Sequence, residues 1–232
     1  MNRNLTYCLP IIIFLIIPHS AISQSTEKEE GFIPIFDGKT LKDWDGLEGW
    51  WWIEDGAITS ESTPEKPCKN AHYLFWTKEQ PEDFILKLEF RLRNGNSGIQ
   101  FRSERKPNYD IWGYQADIDD TGEWIGALFQ HDRWAVAKRG YKVWIDEYGN
   151  KKEENFEDPK TLLQHIRQND WNEYEIRAIG NHIQLFINGK PMCEAFDDDK
   201  KFARRKGYIA LQMHPGPPMK IQFRNIRIKI IK

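Results

Sequence analysis

The stretch Phe84-Ile85-Leu86-Lys87-Leu88-Glu89-Phe90-Arg91-Leu92-Arg93 decides the fold class of this chain. Phe84, Leu86, Leu88, Phe90 and Leu92 fall on one side of an extended backbone, and mostly charged residues take the other. Successive strand side chains point to opposite faces, so a period of two reads as a half-buried strand. The same pattern returns twice just downstream. In Asn96-Ser97-Gly98-Ile99-Gln100-Phe101-Arg102, Ile99 and Phe101 oppose Gln100 and Arg102. In Gly113-Tyr114-Gln115-Ala116-Asp117-Ile118-Asp119, Tyr114, Ala116 and Ile118 oppose Gln115, Asp117 and Asp119.

Turn signals separate further strands on both sides of this region. Trp50 to Ile53 and Ala57 to Ser60 flank Asp55-Gly56, and His182 to Ile187 runs into Asn188-Gly189. Both dipeptides suit two-residue hairpin loops, where positive φ angles are needed. Gly207 to His214 and Ile221 to Ile230 add two late strands, the second interrupted near Asn225. The only helix signal is Asp158-Pro159, a cap and first residue for a short helix through Arg167 with Leu162, Leu163 and Ile166 on one side. Many strands with one short helix and no internal repeat predict an all-β fold, an antiparallel β-sandwich of jelly-roll type.

The first 23 residues read as an export leader. Arg3 precedes the apolar run Leu9 to Ile17, and Ala21-Ile22-Ser23 has small-x-small cleavage spacing. The run is short for a bilayer span, so a cleaved leader is favoured over a retained anchor. Cys8 lies before the run, not after it where a lipid anchor would sit. The expectation is residues 1–23 as signal peptide, 24–31 as linker and 32–232 as one domain, periplasmic or secreted. Loss of Arg3 takes the formal charge from −2 to −3, which gives no reason to expect nucleic acid or an anionic membrane surface as partner. Ten tryptophans in such a hydrophilic chain exceed what its core needs, and aromatic faces stack well on the C–H faces of sugars.

The polar faces of the two strands carry the candidate chemistry. Gln115, Asp117 and Asp119 stand in line about 7 Å apart on one face. Laminarinase-type glycosidases have Glu-x-Asp-x-Glu at this spacing, but here the first position is an amide, so no retaining pair of carboxylates exists in the motif. The alternative is a solvated strand face. Gln212 and His214 share a face in Leu211-Gln212-Met213-His214, and His131 follows the Trp124 loop; either histidine titrates near neutral pH unless it is simply a hydrogen-bonded surface group. Cys68 and Cys193 could pair in an oxidising compartment, although nothing in the sequence brings them together. Neither has metal-ligand spacing to other cysteines or histidines, and Asp197-Asp198-Asp199 reads as a solvated loop before it reads as a calcium site. No metal or other cofactor is expected.

Taken in order, Phe36-Asp37-Gly38-Lys39-Thr40-Leu41, Trp44, Trp52 and Asp55-Gly56 begin a longer pattern. It continues through Asn96 to Arg102 and Gly113 to Asp117, then closes with Gly207 to His214 and Phe223 to Ile226. This set resembles the 3-keto-disaccharide hydrolase family over nearly the whole chain beyond the leader. The resemblance implies a concanavalin/laminin-G-like β-sandwich acting on a glycoside or disaccharide whose glucose-type ring is oxidised at carbon 3. A ketone there acidifies the carbon-2 proton, so a base can form an enolate that expels the carbon-1 substituent. Water addition completes hydrolysis, and stopping earlier gives a lyase. Such a route needs a base, an oxyanion stabiliser and an acid rather than a carboxylate nucleophile.

On that resemblance, Arg102 binds the ketone or enolate oxygen, Asp117 or His131 takes the proton, and His214 protonates the leaving group. Gln100, Gln115, Asp119 and Gln212 bind hydroxyls, with Trp124 as a stacking wall. Many relatives have Glu then Gln where this chain has Gln115 and Asp117. The competing reading is a non-catalytic, lectin-like carbohydrate-binding module, since such sandwiches serve both purposes. A purely structural interaction domain would leave the polar row without a ligand.

Overall fold

The computed structural model describes residues 29–232, which include one compact unit, Gly31–Lys232. The leader and its cleavage site lie outside the described residues. The strands are β1 (Ile33–Pro34), β2 (Trp44–Asp45), β3 (Trp52–Glu54), β4 (Ala57–Ser62), β5 (His72–Trp76), β6 (Phe84–Arg93), β7 (Asn96–Arg105) and β8 (Ile111–Asp119). They continue with β9 (Leu128–Gln130), β10 (Trp134–Ala137), β11 (Tyr141–Ile145), β12 (Lys151–Asn155), β13 (Asn172–Ile179) and β14 (His182–Ile187). The last are β15 (Lys190–Asp197), β16 (Tyr208–Met213) and β17 (Met219–Ile230).

Two sheets form. One runs β12-β11-β15-β14-β13-β6-β17-β4-β3, with β1 added against β17. The other runs β10-β9-β8-β7-β16-β5-β2. The predicted β-sandwich is observed, with one departure from antiparallel pairing: β11 runs parallel to β15.

The alternating strand that decides the fold class lies in the middle of the first sheet and buries Phe84, Leu86, Leu88, Phe90 and Leu92. Ile99, Phe101, Tyr114, Ala116, Ile118, Ile209 and Leu211 of the second sheet join the same core. Removing one such aromatic side chain would leave a cavity between the sheets, at a cost of about 3–5 kcal/mol.

The turn chemistry agrees with the sequence. Asp55 and Gly56 have φ of 51° and 75°, and Asn188 and Gly189 have 50° and 74°. Two consecutive left-handed residues match the right-handed twist of the flanking strands. Asn225, at φ 52°, marks an irregularity in β17 between Arg224 and Arg227. The helix α1 (Pro159–Leu163) starts as expected, with the Asp158 side chain accepting from Lys160 N. It ends before Arg167 because Gln164, His165 and Ile166 donate to the carbonyls three residues back, which tightens the chain into turns. Among the described residues no helix is long and apolar enough to cross a membrane.

Candidate active site

The outer face of the second sheet carries the polar row. Gln100 lies opposite Gln115 across β7 and β8, and Gln212 lies opposite Tyr73 across β16 and β5. Their side chains form one directed chain of hydrogen bonds. Ser103 Oγ donates to Gln100 Oε1 (2.8 Å), and Gln100 Nε2 donates to Gln115 Oε1 (2.8 Å). Gln115 Nε2 then donates to Asp117 Oδ1 (2.6 Å) and Gln212 Oε1 (3.2 Å), and Gln212 Nε2 donates to the Tyr73 hydroxyl (2.9 Å). Buried amides satisfied in this way hold each other in one orientation. Gly98 makes room for the arrangement: a Cβ there would stand 2.4 Å from Gln115 Cδ.

A pocket of about 430 Å³ opens above this row. Its floor is Tyr73, Gln115, Asp117 and Gln212, and its walls include Trp124, His131 and His214. That volume lies within the range of small-molecule sites, roughly 300–1,000 Å³. Asp117 is 4% exposed, and burial pushes its pKa up to about 8 against the pull of the Gln115 hydrogen bond, with the Asp119 charge adding to the rise. Burial lowers the pKa of both His131 and His214, so both are neutral at pH 7. Nδ1 of His214 lies 2.5 Å from its neighbour's carbonyl, Pro215 O, and Nδ1 of His131 lies 3.4 Å from Gly113 O. A carboxyl with a pKa of about 8 lines one pocket with two histidines, and perturbed titratable groups gathered in a cleft suit proton transfer.

Three of the predicted residues do not line the pocket: Gln100 is fully buried behind Gln115, and Arg102 and Asp119 are elsewhere. Period two would put Arg102 beside Gln100. Instead Arg102 has φ 47°, and the register slips so that two residues, Arg102 and Ser103, stand against Gly113. This bulge turns Arg102 inward and leaves Ser103 on the polar face. Arg102 is fully buried, donating to Glu82 O (2.8 Å), Gly180 O (2.8 Å) and Asp83 Oδ1 (3.0 Å). It ties β7 to the start of β6 and to the β13–β14 turn, so the sheets are clamped and the pocket receives no guanidinium from it.

Asp119 is also spent on structure. Its carboxylate accepts from Glu123 N (3.1 Å), Trp124 N (3.0 Å) and Ile125 N (2.6 Å), fixing the loop that delivers Trp124 to the pocket. It lines a different pocket, of about 300 Å³, with Thr121, Leu163 and Arg167. Asp119→Ala is expected to cost about 1–3 kcal/mol, because buried backbone donors lose a charged acceptor. Thermal melting measures that loss.

Other residues reach the pocket without having been singled out in the sequence. Tyr73 sits in the run His72-Tyr73-Leu74-Phe75-Trp76, where a nearly continuous apolar character hides which side faces out. Burial pushes its phenol well above the ordinary range, so it stays protonated and remains a donor. Asn96, Asp110, Trp112, Phe129 and Trp134 complete the rim.

The remaining sequence features are structural. Asp197 is paired with Arg133, whose Nη1 lies 2.9 Å from Oδ1, and accepts from the Tyr114 hydroxyl. Asp199 Oδ1 accepts from Lys201 N (2.8 Å) and Phe202 N (3.0 Å), while Asp198 accepts from Asn181 Nδ2 (2.9 Å). Asp197 and Asp199 share Arg133 and are both buried, so the stretch expected to be a solvated loop is solvated only at Asp198. Cys68 and Cys193 are both buried and unpaired with one another.

Comparison with known proteins agrees with this architecture. A Parabacteroides distasonis protein described provisionally as a glycosyl hydrolase superposes with a TM-score of 0.56 at 21% identity, covering 86% of this chain and 99% of its own. The carbohydrate binding module CBM66 of Bacillus subtilis gives 0.54 at 15%, over 81% and 95%. The β-glucanase of Bacillus licheniformis gives 0.50 at 11%, over 87% and 97%. At these identities the likeness is one of fold. No curated protein matches the chain. One family's sequence pattern matches residues 31–229, almost all of the described part. The chain therefore belongs to the family described as the 3-keto-alpha-glucoside-1,2-lyase-like domain, which supports a carbohydrate-related function.

Proposed function

We propose that the protein cleaves 3-keto-glycosides by removing the carbon-2 proton and expelling the carbon-1 substituent. The observation that carries this reading is Asp117, a buried carboxyl with a pKa near 8 on the floor of a sugar-sized pocket that Gln115 and Gln212 also line. Retaining glycosidases need two carboxylates about 5 Å apart, one of them ionised as a nucleophile. Here the neighbours of Asp117 are amides, and Asp119 is tied to its loop. A single carboxylate of raised basicity suits proton abstraction beside a ketone far better.

The roles follow from position. Asp117 takes the proton from carbon 2. Tyr73, kept protonated, donates to the developing enolate oxygen, the part that the resemblance gives to Arg102. The proton that Asp117 takes then passes to the leaving group, beside the neutral imidazoles of His131 and His214, and Gln115 and Gln212 bind hydroxyls. Gln100 acts one step back by orienting Gln115. Trp124 forms a wall. The family description itself names a 1,2-lyase-like domain, in keeping with elimination across carbons 1 and 2. On the leader alone, the site of action is outside the cytoplasm.

Incubation with 3-keto-trehalose, followed by mass spectrometry, tests the reading. Release of a sugar is the expected result, and an unsaturated product lighter by one water identifies the lyase outcome. Retained glycan binding without turnover would favour a binding module instead. The pH profile separates the candidate bases. With Asp117 as base, kcat/KM should rise with pH to a plateau above about 8. A rise whose midpoint lies below pH 6.5 would assign the proton to His131, whose pKa burial lowers from that value.

A further inference from the structure

We infer that the pocket rim holds a second subsite, built on Trp134 and flanked by Trp112, which stacks the ring of the leaving group. This rests on the functional reading above and deepens it. Trp134 is 67% exposed and Trp112 is 47% exposed, yet both line the pocket. Single exposed aromatics are ordinary, but two on one pocket rim form a patch, and exposed apolar patches mark binding sites.

The backbone adds a second, independent observation. Arg133 N donates to Gln130 O (3.1 Å), closing a turn, and Trp134 then pairs with Gln130 at the head of β10. Trp134 itself has φ 58°. Hairpins that follow a turn with a left-handed residue normally place Gly or Asn there, because a Cβ is strained in that conformation. A bulky aromatic at positive φ is an outlier, and such strain gathers at ligand sites. The chain has put its least suitable residue type at that position and pointed it at the pocket mouth.

The rim has a sugar's chemistry rather than that of an apolar aglycone. Trp112 runs parallel to His131 (centroids 6.3 Å apart, 9° between planes) with Lys106 Nζ over its ring at 5.3 Å, while Phe129 meets Trp134 edge-on at 6.0 Å and leaves Trp134 as the more open face. Asp110 lines the same rim, so a ring stacked there finds hydrogen-bond partners for its hydroxyls beside an aromatic face. An aromatic aglycone would use the faces and leave Asp110 unused.

The test compares methyl 3-keto-glucoside, which has one ring, with 3-keto-trehalose, which has two, on the unaltered chain and on Trp134→Gly. The expected result is a KM for 3-keto-trehalose raised about tenfold with kcat little changed, and unchanged constants for the methyl glucoside. The melting temperature of Trp134→Gly should hold or rise, since Gly adopts φ 58° without strain. Equal effects on both substrates, no effect on either, or a clear fall in melting temperature would overturn the subsite. If the unaltered chain turns over neither compound, the functional reading fails. Calorimetry of trehalose against glucose then decides the subsite, which predicts a preference for two rings that Trp134→Gly removes and is contradicted if none exists.

Discussion

Asp117→Asn is expected to lower kcat for 3-keto-glycosides by about 10²–10⁴-fold, the usual contribution of a positioned general base, while ligand binding persists. The substitution is nearly isosteric, and its amide oxygen can still accept from Gln115 Nε2, so the hydrogen-bonded row survives. Stability should move the other way. The folded state holds the Asp117 proton up to about pH 8, whereas the ordinary carboxyl value is 3.8. Between those values the folded chain binds more protons than the unfolded one, so stability falls as pH rises through the window. Asn removes that dependence. The variant should therefore melt higher than the unaltered protein at pH 9 and show little difference at pH 4. A loss of activity accompanied by a loss of stability at pH 9 would show that Asp117 is a structural carboxylate.

The second large effect concerns Arg102. Arg102→Met is expected to destabilise the fold by about 3–5 kcal/mol, because the three acceptors Glu82 O, Gly180 O and Asp83 lose their buried cation. For a domain of this size each kcal/mol moves the melting temperature by about 2–4 °C, so a fall of roughly 10 °C is anticipated. The fraction that remains folded at low temperature should turn over substrate at nearly the normal rate. A variant that melts normally but loses kcat would instead return Arg102 to the enolate, the role that the family resemblance implies for it.

Why Arg102 misleads is instructive. The fold is legible because β6 keeps strict alternation over ten residues and because Asp55-Gly56 and Asn188-Gly189 carry the turn chemistry their φ angles require. The polar row is legible for the same reason: Gln100, Gln115, Asp117 and Gln212 all obey period two on strands that pair in register. One extra residue in β7 breaks the rule immediately after Phe101, and every inference past it changes face. Nothing local in Phe101-Arg102-Ser103 announces a bulge, since neither inserted residue is Gly.

Asp119 fails differently. Its direction is right, but the loop at 120–125 folds back onto its carboxylate, a contact that only the chain's path reveals. Tyr73 is hidden by the reverse problem, because its strand is apolar on both faces where it covers the core on one side and supports the pocket on the other. The Asp197–Arg133 pair spans 64 residues, so three consecutive aspartates could not disclose their partners.

The most direct measurement of the account follows deuterium placed at carbon 2 of the oxidised ring of 3-keto-trehalose. The account predicts that the label passes to solvent during turnover, that the labelled compound reacts more slowly than the unlabelled one, and that Asp117→Asn abolishes the exchange. A cleaved sugar that keeps its deuterium would mean direct displacement at carbon 1 and would contradict proton abstraction by Asp117.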